Sequence, residues 1–188
     1  HIQFTAMKII YLDLRDSGIS GDIFLSALLQ LVKNPENILR DLEKVTKYLS
    51  GVSTLKLRLK KIKKNELSVY RLEIQIKEHK DHRSINQLKE SLSKYLDGMN
   101  FSLKAKKFAQ NVLDTLILAE AEVHENLPEK VHLHELSSVD TLLDILGVTR
   151  ILEEIGYFSD ECKIYLSVLP LGGGKIKSAH GILPVPAP

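Results

Sequence analysis

The sequence predicts a mixed α/β or α+β fold, in which a mixed sheet that includes an antiparallel hairpin packs with several helices. A short apolar run is followed by a glycine-containing loop and a helical pattern, which is typical of a strand, loop and helix unit. Two later segments alternate apolar and polar residues and are joined by a short polar turn. The remaining apolar residues recur mostly at helical spacing. With no internal repeat or long linker, one continuous unit is expected.

The first unit begins with Lys8 to Leu14, KIIYLDL, which predicts a buried strand, and the pattern IFLSALLQLV after it predicts a helix. Between them, Gly18 and Gly21 can adopt positive φ, and the free N–H groups that begin the helix suit a phosphate. Asp13 and Asp22 bring negative charge to the same place, so an anion there would need a divalent cation. A tight turn capped by Ser20 or Asp22 explains the loop equally well.

The middle of the chain is predicted to be scaffold. A helix is expected from Pro35 to Leu49, and leucines alternating with basic residues from Leu55 to Lys60 indicate a half-buried strand. A second alternating strand around Leu72 to Lys77, after the turn KKNE, completes a hairpin. The polar segment KEHKDHRS is a predicted loop whose histidines sit in water.

Two further helices follow that loop. Ser84 and Gln87 form a capping-box signature that opens a helix ending at Gly98, and a longer helix is expected from about Ser102 to Glu125. His124 lies at the end of the longer helix, where the helix dipole stabilises a histidine whether or not it binds a ligand.

The stretch Val131 to Asp144, VHLHELSSVDTLLD, is the strongest candidate for chemistry. If its first part is extended, His132 and His134 project from one face and could share a metal ion. Ser137 is then a predicted helix N-cap, with Asp140 three residues on and Asp144 one turn later on the same face. Surface charge paired with Glu129 or Glu135 remains an alternative for the histidines, and helix-end charge an alternative for Asp140.

The helix that follows is expected to end near Gly156, after which a strand leads to a second glycine-rich loop. GGG at positions 172–174 lets a flat or anionic ligand approach, with Lys175 and Lys177 as counter-charges, although a flexible turn is an equally ordinary explanation. His180 follows. Histidine and carboxylate donors together leave nickel, zinc, copper, magnesium and manganese open as the bound ion. Cys162 is predicted to be a half-buried structural thiol.

Bulk properties exclude some classes of partner. The formal net charge is +2 in 188 residues, which does not favour nucleic acid or a membrane surface as a partner. A single cysteine and the lack of a long apolar run predict a cytoplasmic protein. The first six residues, HIQFTA, precede a plausible initiator, Met7, and are interpreted as a cloning remnant outside the fold.

Three segments, YLDLRDSGISGDIFLSAL, AEAEVHENLPEKVHLHELSSVDTLLDILG and LPLGGGKIKSAHGILPVPAP, together resemble the nickel-insertion proteins of nickel-pincer cofactor biosynthesis, the LarC family. The resemblance runs in order from Met7 to Pro188. It implies a nickel-inserting cyclometallase, a lyase. Such an enzyme inserts nickel into pyridinium-3,5-bisthiocarboxylic acid mononucleotide, consumes CTP as co-substrate and needs magnesium or manganese.

Matching the family pattern onto this chain implies three groups of site residues. The resemblance implies that the nucleotide-like substrate is bound by Gly18, Ser20, Gly21, Gly172, Gly174 and His180. It implies metal ligands at His124, His132, His134, Glu135 and Asp144. It implies a catalytic role, with a hard cation, for Asp13, Asp22 and Asp140.

Two departures from the family pattern limit what is implied. EHKDHR replaces a run of histidines that many members have, and the C-terminal region associated with CTP is absent after PVPAP. Residues 7–188 are therefore expected to form the N-terminal domain of a longer protein. The missing C-terminal region of the same protein is an expected partner, and the sequence is also compatible with a homo-oligomer. A divalent-metal-dependent phosphohydrolase, or a non-catalytic nickel carrier or assembly domain, are the alternatives.

Overall fold

The fold is a cluster of helices with three small β-elements, seen in a computed structural model that describes residues 7–15, 19–64, 66–79, 83–125, 127–128, 138–178 and 181–184. The helices are α1 (Gly21–Leu28), α2 (Pro35–Glu43), α3 (Ile85–Gly98), α4 (Leu103–Val123) and α5 (Val139–Glu154). The strands are β1 (Lys8–Leu12), β2 (Val52–Lys64), β3 (Leu67–Glu78), β4 (Cys162–Leu166), β5 (Lys175–Ser178) and β6 (Gly181–Pro184).

Within these residues the strands form three two-stranded sheets. The pairs β2–β3 and β5–β6 are antiparallel, and β1–β4 is parallel. The mixed fold class and the β2–β3 hairpin predicted from the sequence are therefore confirmed. Both strands of that hairpin are longer than the alternating segments indicated, whereas the β5–β6 hairpin was not predicted.

Helix α5 is the centre of the core. It contacts α1, α2, α3 and α4, and its buried residues occur on several sides of the helix, as expected for a helix surrounded by protein. Gly147 permits one of these contacts, because a Cβ built there would lie 2.7 Å from Leu25 Cδ1. The sequence of α5 therefore fixes how closely α1 can approach.

The β2–β3 hairpin covers one side of this core through its apolar face. Leu55, Leu57 and Leu72 are buried, while the alternating Lys56 and Arg58 are exposed. A buried hydroxyl joins the hairpin to α1: Ser26 Oγ accepts from the Leu72 N–H at 3.1 Å and donates to the Asp22 carbonyl at 2.7 Å. The hairpin is thereby held to the helix that carries Gly21 and Asp22.

Several helix ends follow the local signals in the sequence. Ser84 and Gln87 form the expected capping box at α3, and Pro35 begins α2. Gly156 ends α5 with φ of +89°, and the N–H groups of Gly156 and Tyr157 donate to the Glu153 and Leu152 carbonyls. This is the paired hydrogen-bond pattern of a Schellman motif. Helices α1 and α2 are shorter than predicted, because each continues as a 3₁₀ turn, Leu29–Leu31 and Lys44–Lys47.

The prediction of a buried first strand was wrong. β1 ends at Leu12, and Ile9 and Tyr11 are 67% and 60% exposed. In the described part of the chain β1 pairs with β4 alone, so no further strand covers it. Cys162, at the start of β4, is more buried than expected, at 3% exposure. None of the described helices has the length and apolarity needed to cross a bilayer.

Candidate functional site

The start of α5 differs from the sequence prediction by one residue. Its N-cap is Ser138 instead of Ser137, so Asp140 is the second helical residue and no capping box forms there. Asp140 still lies in the first turn, where the helix dipole stabilises a carboxylate. Asp144 follows one turn later, on the same side of the helix.

The start of α1 presents a second acidic side chain. Ser20 is the N-cap with an extended backbone, and the Phe24 N–H donates to its carbonyl at 2.9 Å. Among the described residues its hydroxyl caps no backbone N–H, and it donates instead to Asp22 Oδ1 at 2.5 Å. Ser20 therefore orients the Asp22 carboxylate.

Gly21 brings these two helix starts together. A Cβ built on Gly21 would lie 2.9 Å from Asp144 Cβ and would overlap the Asp144 carboxyl group. Because real Cβ contacts are not this short, a glycine is required where α1 meets α5. The first glycine loop and the Val131 to Asp144 stretch, which are far apart in sequence, therefore meet in space at Gly21 and Asp144.

Asp22, Asp140 and Asp144 form what we call the acidic cluster. Burial, and then the charges of Asp22 and Asp140, raise the pKa of Asp144 from 3.8 to about 6. The pKa of Asp140 is also raised, first by burial and then by the charges of Glu78 and Asp22. Clustered carboxylates with raised pKa values bind either protons or cations.

The acidic cluster does not form a complete metal site by itself. Across the residues that the structure describes, no three His, Cys, Asp or Glu side chains are grouped so as to hold a metal ion. Glu78, which adds negative charge near Asp140, is itself ion-paired with the buried Arg83 at 3.0 Å. Further donors or a side-chain rearrangement would be needed to close a coordination sphere around the cluster.

Asp13, predicted to share the role of Asp22 and Asp140, has a different environment. Arg15 donates to both of its carboxylate oxygens, at 2.8 and 2.5 Å. These hydrogen bonds lower the pKa of Asp13 to about 2. The carboxylate already has a cationic partner, so a metal ion there would compete with Arg15.

The histidines predicted as ligands are largely beyond what the structure describes. His132, His134, Glu135 and His180 lie outside the described residues, as do Gly18 and Ser137. His124 caps the end of α4, with its Nε2 3.7 Å from Glu120 Oε1. A contact with Glu120 agrees with the helix-end interpretation of His124, and its role as a ligand stays a prediction.

The second glycine loop is open. Gly172 and Gly174 have φ of +70° and +101°, a region that favours glycine because L side chains rarely adopt it. A Cβ built on Gly174 meets no described atom within 4 Å. The loop could admit a ligand, and its predicted role in binding remains a prediction.

An apolar groove of about 410 Å³ lies beside the acidic cluster, between α1, α4 and α5. Its apolar lining consists of Phe24, Phe108, Val112, Leu116, Ile145 and Val148, and Gly21, Thr141 and Asp144 complete it. We call this surface the ring groove, because its size and apolar lining suit a flat ring. A second cavity of about 460 Å³, beside β4 and lined in part by Tyr157 and Cys162, shares no lining residue with it.

Sequence reasoning missed the ring groove because its residues were interpreted as core. Phe108, Val112 and Leu116 continue the apolar pattern of α4, yet they are only half-buried, whereas Ala105, Ala109 and Leu113 are fully buried. The sequence feature that could have revealed the groove is the apolar stripe on α4, which is wider than one packing partner requires. Such a stripe leaves a second line of residues for another contact.

Comparisons with known proteins show clear relatives. The sequence profile of the family described as "Nickel insertion protein" matches residues 10–188. A Staphylococcus epidermidis protein named "Pyridinium-3,5-bisthiocarboxylic acid mononucleotide nickel insertion protein" is 35% identical over 181 residues, covering 96% of this chain and 42% of that protein.

A protein of Dictyoglomus thermophilum whose name also describes nickel insertion is 36% identical over 182 residues, 97% of this chain and 44% of its own length. The chain therefore spans less than half the length of these curated relatives. No solved protein structure matches the chain significantly.

Proposed function

We propose, from the premise that this chain belongs to the nickel insertion protein family, that it takes part in CTP-dependent insertion of nickel into pyridinium-3,5-bisthiocarboxylic acid mononucleotide. The substrate is the one named for its Staphylococcus epidermidis relative. Nickel is a substrate of this reaction. Because the relatives are more than twice as long, the proposal assigns this chain a share of the whole protein's activity.

The observation that carries this proposal is the contact between Gly21 and Asp144. It joins the start of α1 to the helix that directly follows the HLHE segment, so two sequence signatures of the family meet at one place. His132 and His134 lie only four to six residues before the Ser138 N-cap. The proposal therefore links them to the acidic cluster through their position in the sequence, directly before the helix that carries Asp140 and Asp144.

The donor types suggest a division of labour between two ions. Imidazole nitrogens suit nickel, and carboxylate oxygens suit the harder magnesium or manganese. His132, His134 and Glu135 would present nickel. Asp22 and Asp140 would hold a magnesium or manganese ion, which supplies positive charge for binding the phosphates of CTP or the substrate. His124, Asp144, Asp13, Gly18 and His180 keep their predicted roles in this scheme.

Nickel binding and nickel insertion are tested separately. Isothermal titration of nickel is expected to show at least tenfold weaker binding in a His132→Ala, His134→Ala double variant than in the wild type, since two donors are lost. A matched His79→Ala variant, whose histidine is exposed at the end of the hairpin, should bind as the wild type does. Equal affinity in all three proteins would remove His132 and His134 from the metal role.

Turnover is measured by mass spectrometry of the metallated product after mixing the chain with nickel, CTP, magnesium and the thiocarboxylated mononucleotide. The full-length relative from Staphylococcus epidermidis serves as the positive control. Product formation by this chain would support nickel insertion by these 188 residues without the rest of the longer protein. Nickel binding without product indicates a carrier or assembly role, and hydrolysis of a generic phosphate ester without nickel dependence indicates a phosphohydrolase.

A further inference from the structure

The ring groove combines an apolar floor with one charged group. Six of its lining residues are apolar, and Phe24 and Phe108 contribute aromatic rings. Asp144 is the single charged side chain among the described residues that line it. None of those lining residues carries a positive charge, so the groove offers little to a phosphate or a carboxylate.

The size of the ring groove suits part of a nucleotide. Ligand pockets are typically about 300–1,000 Å³, and this one encloses about 410 Å³. A flat aromatic ring with its substituents fits such a volume. Because no described lining residue is cationic, the ribose and phosphate would lie outside the groove, toward solvent.

We infer that the ring groove seats the positively charged aromatic ring of the pyridinium mononucleotide, with Phe24 and Phe108 against the ring and Asp144 at the ring edge opposite the ribose. This inference rests on the proposed function and adds where the ring binds. Aromatic faces attract cations that lie within about 6 Å of the ring centroid. A carboxylate at the edge of an apolar site adds charge complementarity that an uncharged ring would not use.

The position of Asp144 connects the ring groove to the metal chemistry. Asp144 lines the groove and also belongs to the acidic cluster, so a ring in the groove has one edge beside the cluster. The two thiocarboxylic groups of the substrate are negative and would be repelled by bare aspartates. A metal ion between the substituents and the carboxylates removes that repulsion, as insertion of a metal at this edge of the ring requires.

The test uses nicotinamide mononucleotide as the probe, since its ring is a pyridinium and its amide is uncharged. The matched control ligand is reduced nicotinamide mononucleotide, which has nearly the same size but no aromatic or charged ring. Titration calorimetry of the wild-type chain is expected to show about tenfold tighter binding of the oxidised form, the equivalent of a cation–π contact with a nearby charge. Equal or reversed affinities would overturn the inference.

Two tryptophan variants locate the binding surface. Val112→Trp fills the ring groove and is expected to weaken the oxidised probe at least tenfold. Leu118→Trp places the same side chain on the same helix at a residue that is 58% exposed and outside the groove, and should bind like the wild type. Equal binding by the two variants would show that the ring binds elsewhere. A change in oligomeric state with Val112→Trp alone would show that a second copy covers the groove instead.

A milder variant keeps the test decisive if Val112→Trp fails to fold. Phe24→Leu keeps an apolar side chain but removes one aromatic face, and is expected to weaken the oxidised probe several-fold while leaving the reduced probe unchanged. Equal weakening of both probes would contradict the aromatic role. Nickel titration of the same variants separates the two proposals. Loss of probe binding with normal nickel binding would show that the variant affects the ring groove and not the nickel site. Normal probe binding without nickel insertion would reject the proposed function and leave the inference about the ring groove standing.

Discussion

Among the described carboxyl groups, Asp13 has a lowered pKa and Asp144 a raised one. Asp13 is exposed and receives two hydrogen bonds from Arg15, which hold its pKa at about 2. Asp144 is half-buried beside two other aspartates, and its pKa is raised to about 6. The charge of the Asp13 carboxylate is balanced by Arg15, two positions along the chain, whereas the environment of Asp144 depends on the contact between α1 and α5. The difference teaches that a cation at Asp13 would have to displace Arg15, whereas a cation at Asp144 would relieve repulsion among neighbouring carboxylates.

The largest expected effect comes from separating α1 from α5. Gly21→Ala places a Cβ against Asp144 Cβ as well as its carboxyl group, so rotation of the side chain alone cannot relieve the overlap. We expect a loss of about 2 kcal/mol in the free energy of unfolding, typical of overpacking, measured by urea denaturation.

Two further variants serve as controls for that measurement. Combining Gly21→Ala with Asp144→Ala should recover the part of the loss that comes from overlap with the carboxyl group, whereas the 2.9 Å contact with the Cβ of residue 144 remains. Gly173→Ala, whose added Cβ meets no described atom within 4 Å, should leave stability unchanged. Additive losses in the double variant would show that the helices do not meet as described.

A smaller effect, of opposite sign, is expected from replacing Asp144, the carboxyl group whose pKa is raised. Because the folded-state pKa of Asp144 lies above its unfolded value of 3.8, folding favours the protonated form. The resulting penalty grows as the pH rises from about 4 to about 6 and is complete above that range. Asp144→Asn should therefore raise stability at pH 8 by about 1 kcal/mol, after allowance for solvent screening.

Thermal melting across pH 4 to 8 checks this prediction. The gain from Asp144→Asn should shrink as the pH falls toward 4 and vanish below the unfolded-state pKa of 3.8, where the wild-type carboxyl is protonated in both states. Saturating nickel or magnesium should also reduce the gain, because a bound cation stabilises only the wild-type carboxylate. A gain that does not depend on pH would assign the effect to packing instead of charge.

The smallest effect is expected at Asp13. The lowered pKa of this carboxyl stabilises the folded state above pH 3.8 and ceases to do so as the pH falls through about 2. Exposed ion pairs contribute little, however, so Asp13→Asn should leave the thermal midpoint unchanged between pH 5 and 8. A clear fall in that range would show that Asp13 has a structural partner beyond Arg15, and would weaken the contrast with Asp144.

Local rules in the sequence predicted much of the fold. The β2–β3 hairpin, the capping box at Ser84, Pro35 at the start of α2 and Gly156 at the end of α5 all depend on residues close together in the chain. The exposure of β1 could not be predicted in the same way. Its partner β4 lies at the other end of the chain, and an apolar run does not show how many strands will cover it.

Sequence analysis predicted the residues of the candidate site and the segments that carry them, but not which side chains would lie close together. Asp22, Asp140 and Asp144 were selected by type and spacing, whereas their proximity depends on the missing side chain of Gly21. Phe24 and Phe108 carry no signal that separates a groove from a core, because apolar periodicity is the same in both. His132, His134 and Glu135 lie outside the described residues, and their roles stay predictions.

The hydroxyl of Ser26 has a consequence for how the site opens. It accepts from the Leu72 N–H in the middle of β3 and donates to the carbonyl of Asp22. Helix α1 therefore cannot leave α5 without either taking the hairpin with it or releasing a buried backbone group of the hairpin, which is costly when it loses its partner. Gly21, Asp22 and the centre of β3 thus belong to one cooperative unfolding unit. Access to the acidic cluster is in this way coupled to the hairpin on the other side of α1.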